Sequence, residues 1–127
     1  MKLKKVSPNI FVNDMQATIS FYNKLGFAVT NSVKSPEGEL GWAMMDHGSV
    51  TFMFQTFASI ENTLPQIRRA DGGSLLLYVD MTGIREYYET IKSKVTLLTD
   101  LEKTFYGATE FSLCDNNNYV LTFAEHE

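Results

Sequence analysis

The chain has 127 residues, 44% of them apolar, a formal net charge of -4 and a pI near 5.1. This length and composition suit one compact domain with a hydrophobic core. The acidic balance argues against nucleic-acid binding, because phosphate recognition needs clustered lysine and arginine. No apolar run approaches the ~20 residues that span a bilayer, so no membrane partner is expected. A single cysteine, Cys114, rules out an internal disulfide and fits a reducing, cytoplasmic location.

Apolar periodicity and turn signals predict the order strand, helix, three strands, twice over. In the first half, Asp14 is positioned to cap a helix from Met15 to about Leu25, and Gly26 to end it. In the second half the predicted helix covers residues 82–92. The predicted strands are residues 6–12, 27–33, 40–45 and 50–57, then 75–80, 95–98, 108–114 and 119–124. Residues 58–70 are predicted to form a short helix or a structured loop, since Pro65 interrupts their helical spacing. The sequence does not indicate whether this segment acts as a lid.

The two halves resemble each other at an offset of 66 residues. Residues 10–15 (IFVNDM) match residues 76–81 (LLYVDM), and Leu25 matches Ile91. The repeat predicts a single domain over residues 1–127, made of modules of approximately 1–66 and 67–127. One such module cannot bury both faces of its own sheet. The predicted fold class is therefore α+β, with two tandem βαβββ modules forming a shared curved mixed sheet, helices on its outer face and a central concave cavity.

Two sequence signatures resemble the vicinal oxygen chelate superfamily, which includes glyoxalase I, extradiol dioxygenases and bleomycin-binding proteins. The first combines residues 11–14 (FVND), 19–22 (ISFY) and 25–27 (LGF). The second combines residues 106–111 (YGATEF), Asp115 and residues 119–125 (YVLTFAE). The closing turn departs from the usual Asp-Pro-Asp-Gly-Tyr, since residues 115–119 read DNNNY. Asparagine tolerates the left-handed conformation, so the hairpin is still expected.

The resemblance also implies where metal-dependent members carry their ligands. The four positions correspond to Ser7, Thr51, Gly73 or Ser74, and Thr122. Hydroxyl groups are weak ligands where such sites use imidazole or carboxylate, so no metal site and no cofactor are predicted. The two histidines, His47 and His126, are expected in a hairpin turn and at a frayed chain end, outside the cavity.

Strand alternation predicts which side chains line the cavity. The predicted ligand-binding residues are Asn9, Phe11, Trp42, Met44, Met53, Gln55, Tyr106 and Glu110. Aromatic and methionine surfaces with a few polar groups suit a flat organic ligand, although Trp42 and the methionines could equally fill a core. Glu110 is the candidate general base, the alternative being a surface or ion-paired glutamate. Cys114 is expected to be a buried or hairpin residue, not a nucleophile.

Three functions are compatible with this pattern. The first is a metal-independent small-molecule-binding protein that sequesters an aromatic or cationic organic ligand, as bleomycin resistance proteins do. From this resemblance a homodimer is possible but not required. The alternative is an enzyme of the same superfamily, a lyase, isomerase or dioxygenase-like protein, with non-standard catalytic residues such as Glu110. The third is an interaction module whose concavity is filled by side chains, which a cavity below about 300 Å³ would favour.

Overall fold

The computed structural model describes residues 1–2, 4–60, 67 and 75–127. The chain divides into two compact units, Met1–Ala70 and Asp71–Glu127, called here the first and second modules. Within the described ranges, no helix is both long and apolar enough to cross a membrane.

The first module has the predicted strand–helix–three-strand order. It contains β1 (Asn9–Val12), α1 (Met15–Lys24), β2 (Ala28–Lys34), β3 (Leu40–His47) and β4 (Val50–Thr56), followed by the short helix α2 (Phe57–Ile60). The sheet order is β1-β4-β3-β2. The β1 and β4 strands are parallel, and the remaining pairs are antiparallel. Most of the 58–70 segment, for which a short helix or loop was predicted, lies outside the described residues.

The second module repeats this arrangement. It contains β5 (Leu76–Asp80), α3 (Ile84–Ile91), β6 (Thr96–Lys103), β7 (Ala108–Cys114) and β8 (Val120–His126). The sheet order is β5-β8-β7-β6, with β5 parallel to β8. Two tandem βαβββ modules, each with a mixed sheet, are thus confirmed. The strand predicted at 95–98 is too short, since β6 extends to Lys103. The second half of β6, residues 99–103, is polar and exposed apart from Leu101 and therefore gives no apolar signal.

Helix α1 covers one face of the first sheet. Its residue Tyr22 is fully buried and lies 4.7 Å from the Phe54 ring and edge-on to Phe27 and Phe52. The Asp14 carboxylate accepts a hydrogen bond from the Ala17 N–H at 3.0 Å, which confirms the predicted N-cap. Gly26 ends the helix region with φ +96°, as predicted. A Cβ on Gly26 would also meet the His47 ring at 2.8 Å, so only glycine fits.

Helix α3 covers one face of the second sheet. Phe111 is fully buried, stacks on Phe123 at 5.4 Å, and meets Tyr88 edge-on at 5.2 Å. The first turn of α3 is held by Glu125, whose carboxylate accepts a hydrogen bond from the Ile84 N–H at 3.0 Å. This carboxylate satisfies a backbone donor that Gly83, the residue at the N-cap, cannot satisfy with a side chain.

The closing hairpin forms despite its unusual sequence. Asn118 has φ +66° and supplies the left-handed residue that the turn needs. The buried Asp115 carboxylate accepts hydrogen bonds from the N–H groups of Asn117 at 2.8 Å and Tyr119 at 2.9 Å. The expectation that Asn118 preserves the hairpin is confirmed.

The repeat offset of 66 fits the helices but not the first strands of the two modules. Leu25 and Ile91, which are 66 residues apart, are each 1% exposed. Between β1 and β5, however, the same offset pairs buried Ile10 with Leu76, which is 51% exposed. In β5 it is Leu77 that faces the core, because it is the register partner of fully buried Leu121. Since strand side chains alternate between faces, the first strands of the two modules match only at an odd offset.

Candidate functional site

Each sheet has a second face, opposite its helix, and the predicted ligand-binding residues of the first module all lie there. This face, called the first open face, carries Asn9, Phe11, Trp42, Met44, Met53 and Gln55. The register pairs Asn9 and Met44 with Met53, and Phe11 and Trp42 with Gln55, across adjacent strands. Neighbouring positions such as Ala43 and Phe54 are fully buried on the α1 side.

A directed chain of hydrogen bonds crosses the first open face. Asn9 Nδ2 donates to Gln55 Oε1 at 2.9 Å, and Gln55 Nε2 donates to Ser59 Oγ at 3.0 Å. Ser59 Oγ donates in turn to the Thr56 carbonyl at 2.8 Å. Because the Ser59 hydroxyl uses its proton on Thr56, it must accept from Gln55. The amide nitrogen of Gln55, not its oxygen, therefore faces Ser59, and the orientation of the amide is fixed.

A cavity of about 380 Å³ lies beside Gln55 and Ser59. Its walls include Trp42 and Gln55 from the predicted set, together with Gly41, Ala58 and Ser59. Its lining also includes Val33 and Lys34 at the end of β2 and Ser35, Pro36 and Glu37 in the turn that follows. A Cβ on Gly41 would stand 3.2 Å from the Ser59 Cβ, so the absence of a side chain at Gly41 lets α2 approach β3 closely.

The corresponding face of the second sheet, called the second open face, is organised around Glu110. Tyr78 and Tyr106 both donate their phenolic hydrogens to Glu110 Oε2, at 2.5 and 2.6 Å. Hydrogen bonding to this carboxylate raises the pKa of both phenols, most strongly that of Tyr78. Both tyrosines therefore remain neutral donors, and Glu110 is held by specific partners. The sequence predicted Tyr106 and Glu110 here and missed Tyr78.

His126 belongs to the same group, and the expectation of a frayed chain end was wrong. It is the last residue of β8 and alternates onto the second open face. Its Nε2 lies 3.1 Å from Tyr78 Oη and 3.4 Å from Asp80 Oδ1. Because Tyr78 donates to Glu110, its oxygen accepts from His126, which places a proton on Nε2. His47, by contrast, ends β3 and packs edge-on against Phe27 at 5.4 Å.

Two of the four positions at which the resemblance implies metal ligands, Thr51 and Thr122, hold hydroxyl groups that bond to other side chains. Thr51 donates to Asp46 Oδ1 at 2.7 Å, and Thr122 shares a hydrogen bond with Ser112 at 2.8 Å. Ser7 is half-buried, and the third predicted position, Gly73 or Ser74, lies outside the described residues. In the described part of the chain, no three histidine, cysteine or acidic residues are grouped to hold a metal ion. The described residues do not fit a metal centre.

Cys114 is half-buried at the end of β7. Burial, followed by the nearby Asp115 carboxylate, raises the pKa of its thiol. A raised pKa reduces the thiolate population, which opposes a nucleophilic role.

Sequence reasoning missed Ser59, Tyr78, Asp80 and His126. Ser59 lies within the 58–70 segment, where no periodic pattern indicated its direction. Tyr78 and Asp80 were hidden by the offset of 66, which assigns Tyr78 to the same face as buried Val12. An odd offset between β1 and β5, which matches Ile10 with Leu77, would have placed both residues on the open face.

Comparison with known proteins agrees with this architecture. The family model of the Glyoxalase/Bleomycin resistance protein/Dioxygenase superfamily matches residues 4–123, and the chain belongs to this superfamily. No curated protein matches the sequence.

Three solved structures illustrate the likeness of fold. A protein of unknown function from Agrobacterium tumefaciens str. C58 gives a TM-score of 0.77 at 21% identity, over 100% of this chain and 97% of that one. A glyoxalase/bleomycin resistance protein/dioxygenase family enzyme from Burkholderia phytofirmans PsJN gives 0.75 at 23% identity, over 94% and 95%. A bleomycin-binding protein complexed with bleomycin gives 0.69 at 19% identity, over 98% and 100%. At these identities the likeness concerns the fold alone.

Proposed function

We propose that this protein binds a small aromatic or cationic organic molecule without a metal and sequesters it unchanged. Membership of the superfamily supports ligand binding in general. One similar structure is a bleomycin-binding protein that holds bleomycin, which supports sequestration as a use of this fold. Fold alone does not determine function, so the argument depends on the open faces.

The observation that carries the proposal is the composition of the first open face beside its cavity. Trp42 offers a flat surface for stacking, and Met44 and Met53 offer adaptable apolar contacts. The Asn9–Gln55–Ser59 chain supplies fixed polarity in the same region. The cavity volume of about 380 Å³ lies within the usual range for small-molecule sites, which disfavours a purely filled interaction surface here.

We propose binding without a metal because the side chains at the expected ligand positions are poor metal ligands. Thr51 and Thr122 present neutral hydroxyls that are engaged with Asp46 and Ser112. A divalent ion would need carboxylate or imidazole ligands in their place. The ligand would then be held by stacking, packing and hydrogen bonds, and a formal charge of -4 favours cations over anions.

A thermal-shift screen of aromatic and cationic compounds, with and without chelator, tests the proposal. Ligands of the native state raise the melting temperature by mass action, and chelator should leave that rise unchanged. Trp42 is the one tryptophan in the sequence, so its indole N–H gives a single NMR signal that reports binding at this face. Binding that disappears with chelator and returns with a divalent ion would contradict the metal-free mechanism.

A metal-free enzyme is the second candidate, because Glu110, Tyr78 and His126 form a continuous hydrogen-bonded series. Such a series could pass a proton between the imidazole and the carboxylate. The test is whether compounds found by the screen are chemically altered or exchange a C–H hydrogen in heavy water. Conversion that a Glu110→Gln variant abolishes while ligand binding persists would favour the enzyme over sequestration.

A further inference from the structure

The orientation of Gln55 determines which hydrogen-bonding groups it can offer a ligand. Its amide nitrogen has two hydrogens, and one is donated to Ser59 Oγ. Its oxygen has two lone pairs, and one accepts from Asn9 Nδ2. Among contacts of the described residues, this leaves one N–H and one lone pair of the same planar amide. Gln55 thus retains one donor and one acceptor on the same amide.

The surroundings of Gln55 make its amide suitable for binding a flat, neutral molecule. Trp42 is its register partner on β3, and Phe11 is its partner on β1, so aromatic side chains flank the amide on both neighbouring strands. Gln55 and Trp42 both line the 380 Å³ cavity. Among the described residues of that lining, only Lys34 and Glu37 are charged, and their opposite signs leave this part of the lining without net charge.

We propose that the first open face recognises an aromatic lactam or carboxamide, whose C=O and adjacent N–H pair with the Gln55 amide while the ring stacks on Trp42. Two parallel hydrogen bonds between planar amides give geometric selectivity that stacking alone does not provide. Asn9 and Ser59 act as positioning residues, because they prevent the amide from rotating by half a turn. This assignment depends on the proposed function and names the ligand class for it.

The test compares carbostyril, a bicyclic lactam, with N-methylcarbostyril, which keeps the ring and carbonyl but lacks the N–H. Calorimetry gives the affinities, and the Trp42 indole signal and the Gln55 side-chain amide signals give the location. Carbostyril should bind about tenfold more tightly than its N-methyl analogue and shift both sets of signals.

Gln55→Glu replaces the donor–acceptor edge with two acceptors. It should weaken carbostyril about tenfold and strengthen benzamidine, whose amidinium pairs with a carboxylate. The matched control is Gln16→Glu, which makes the same charge change at an exposed position on α1, on the opposite side of the sheet. That control should leave both affinities unchanged.

The outcomes separate this inference from the proposed function. Equal affinities for the two lactams in the wild-type protein, or no binding of carbostyril, would overturn the inference whatever the variant does. If other compounds of the screen still shift the Trp42 signal, the proposed function survives. If no compound in the screen binds, both fail. A carbostyril preference that Gln55→Glu abolishes and Gln16→Glu preserves supports the inference.

Discussion

The amide of Gln55 and the hydroxyl of Ser59 join the end of β4 to α2 through one hydrogen bond of 3.0 Å. Ser59 Oγ also donates to the Thr56 carbonyl, and the Ser59 N–H donates to Thr56 Oγ1 at 3.2 Å. Ser59 therefore connects the first turn of α2 to the open face. The Ser59 hydroxyl fixes the orientation of the Gln55 amide.

Ser59→Ala should lower the free energy of unfolding by about 0.5–1.5 kcal/mol, because two hydrogen bonds through Oγ are lost at a site that water can reach. Urea denaturation measures this change. Ser49→Ala, at an exposed position in the β3–β4 turn, is the control and should change stability by less than about 0.5 kcal/mol. The same loss in both variants would show that the Ser59 hydrogen bonds contribute nothing.

Asn118 provides a prediction about the closing hairpin. Its φ of +66° costs a residue with a Cβ about 1–2 kcal/mol, part of which asparagine recovers. Asn118→Gly should therefore be neutral or stabilising, and Asn118→Ala should destabilise by about 1 kcal/mol. Urea denaturation of the pair tests this. Equal stability of the alanine and glycine variants would contradict the role assigned to the left-handed conformation.

Glu110 controls the ionisation of two tyrosines. In Glu110→Gln the pKa values of Tyr78 and Tyr106 should fall toward the ordinary 10.0, since hydrogen bonding to the carboxylate is the main cause of their rise. Ultraviolet titration of tyrosinate should thus show earlier ionisation in the variant. Glu39→Gln, an exposed change in the first module, should leave the titration unchanged.

The same contacts have a consequence for stability at alkaline pH. A phenol whose pKa is raised on folding stabilises the native state below the unfolded pKa, and this contribution is lost as pH rises through the folded pKa. The Tyr78 and Tyr106 contribution should therefore be intact up to about pH 10.0 and decline above it. Glu110→Gln should show a smaller decline. An identical pH dependence of unfolding in the variant and wild type would contradict the assignment.

Cys114 should react slowly with alkylating reagents. Burial raises the pKa of its thiol above the ordinary value, so the reactive thiolate is scarce near neutral pH. The rate of iodoacetamide modification should rise with pH and reach its midpoint at higher pH than in the urea-unfolded protein. A midpoint at lower pH in the folded state would indicate an activated thiol and reopen a catalytic role.

Much of the fold was predictable because the apolar pattern of each module follows its elements closely. Phe52 and Phe54 alternate with Met53 and Gln55, and this period of two assigned both faces of β4 correctly. Strand β7 was predicted at the observed bounds, Ala108–Cys114, for the same reason. The helix caps at Asp14 and Gly26 followed from local chemistry that depends on only a few neighbouring residues.

The candidate site was harder to predict because it depends on contacts distant in sequence. Tyr78 and Glu110 are 32 residues apart, and Tyr78 and His126 are 48 apart. Nothing local to His126 indicated that β8 continues far enough to bring it beside Tyr78. Ser59 gave no periodic signal, because a four-residue helix such as α2 completes little more than one turn.

The odd offset between β1 and β5 restricts how the two modules can be recombined. A chimera that replaces β1 with β5 must place Leu77 at the position of Ile10, although the sequence alignment matches Ile10 with Leu76. Grafting at the letter-matched boundary would turn Leu77 and Val79 to the wrong side and direct Tyr78 into the packed interior. A superposition of the two modules therefore requires a one-residue gap between the first strand and the helix.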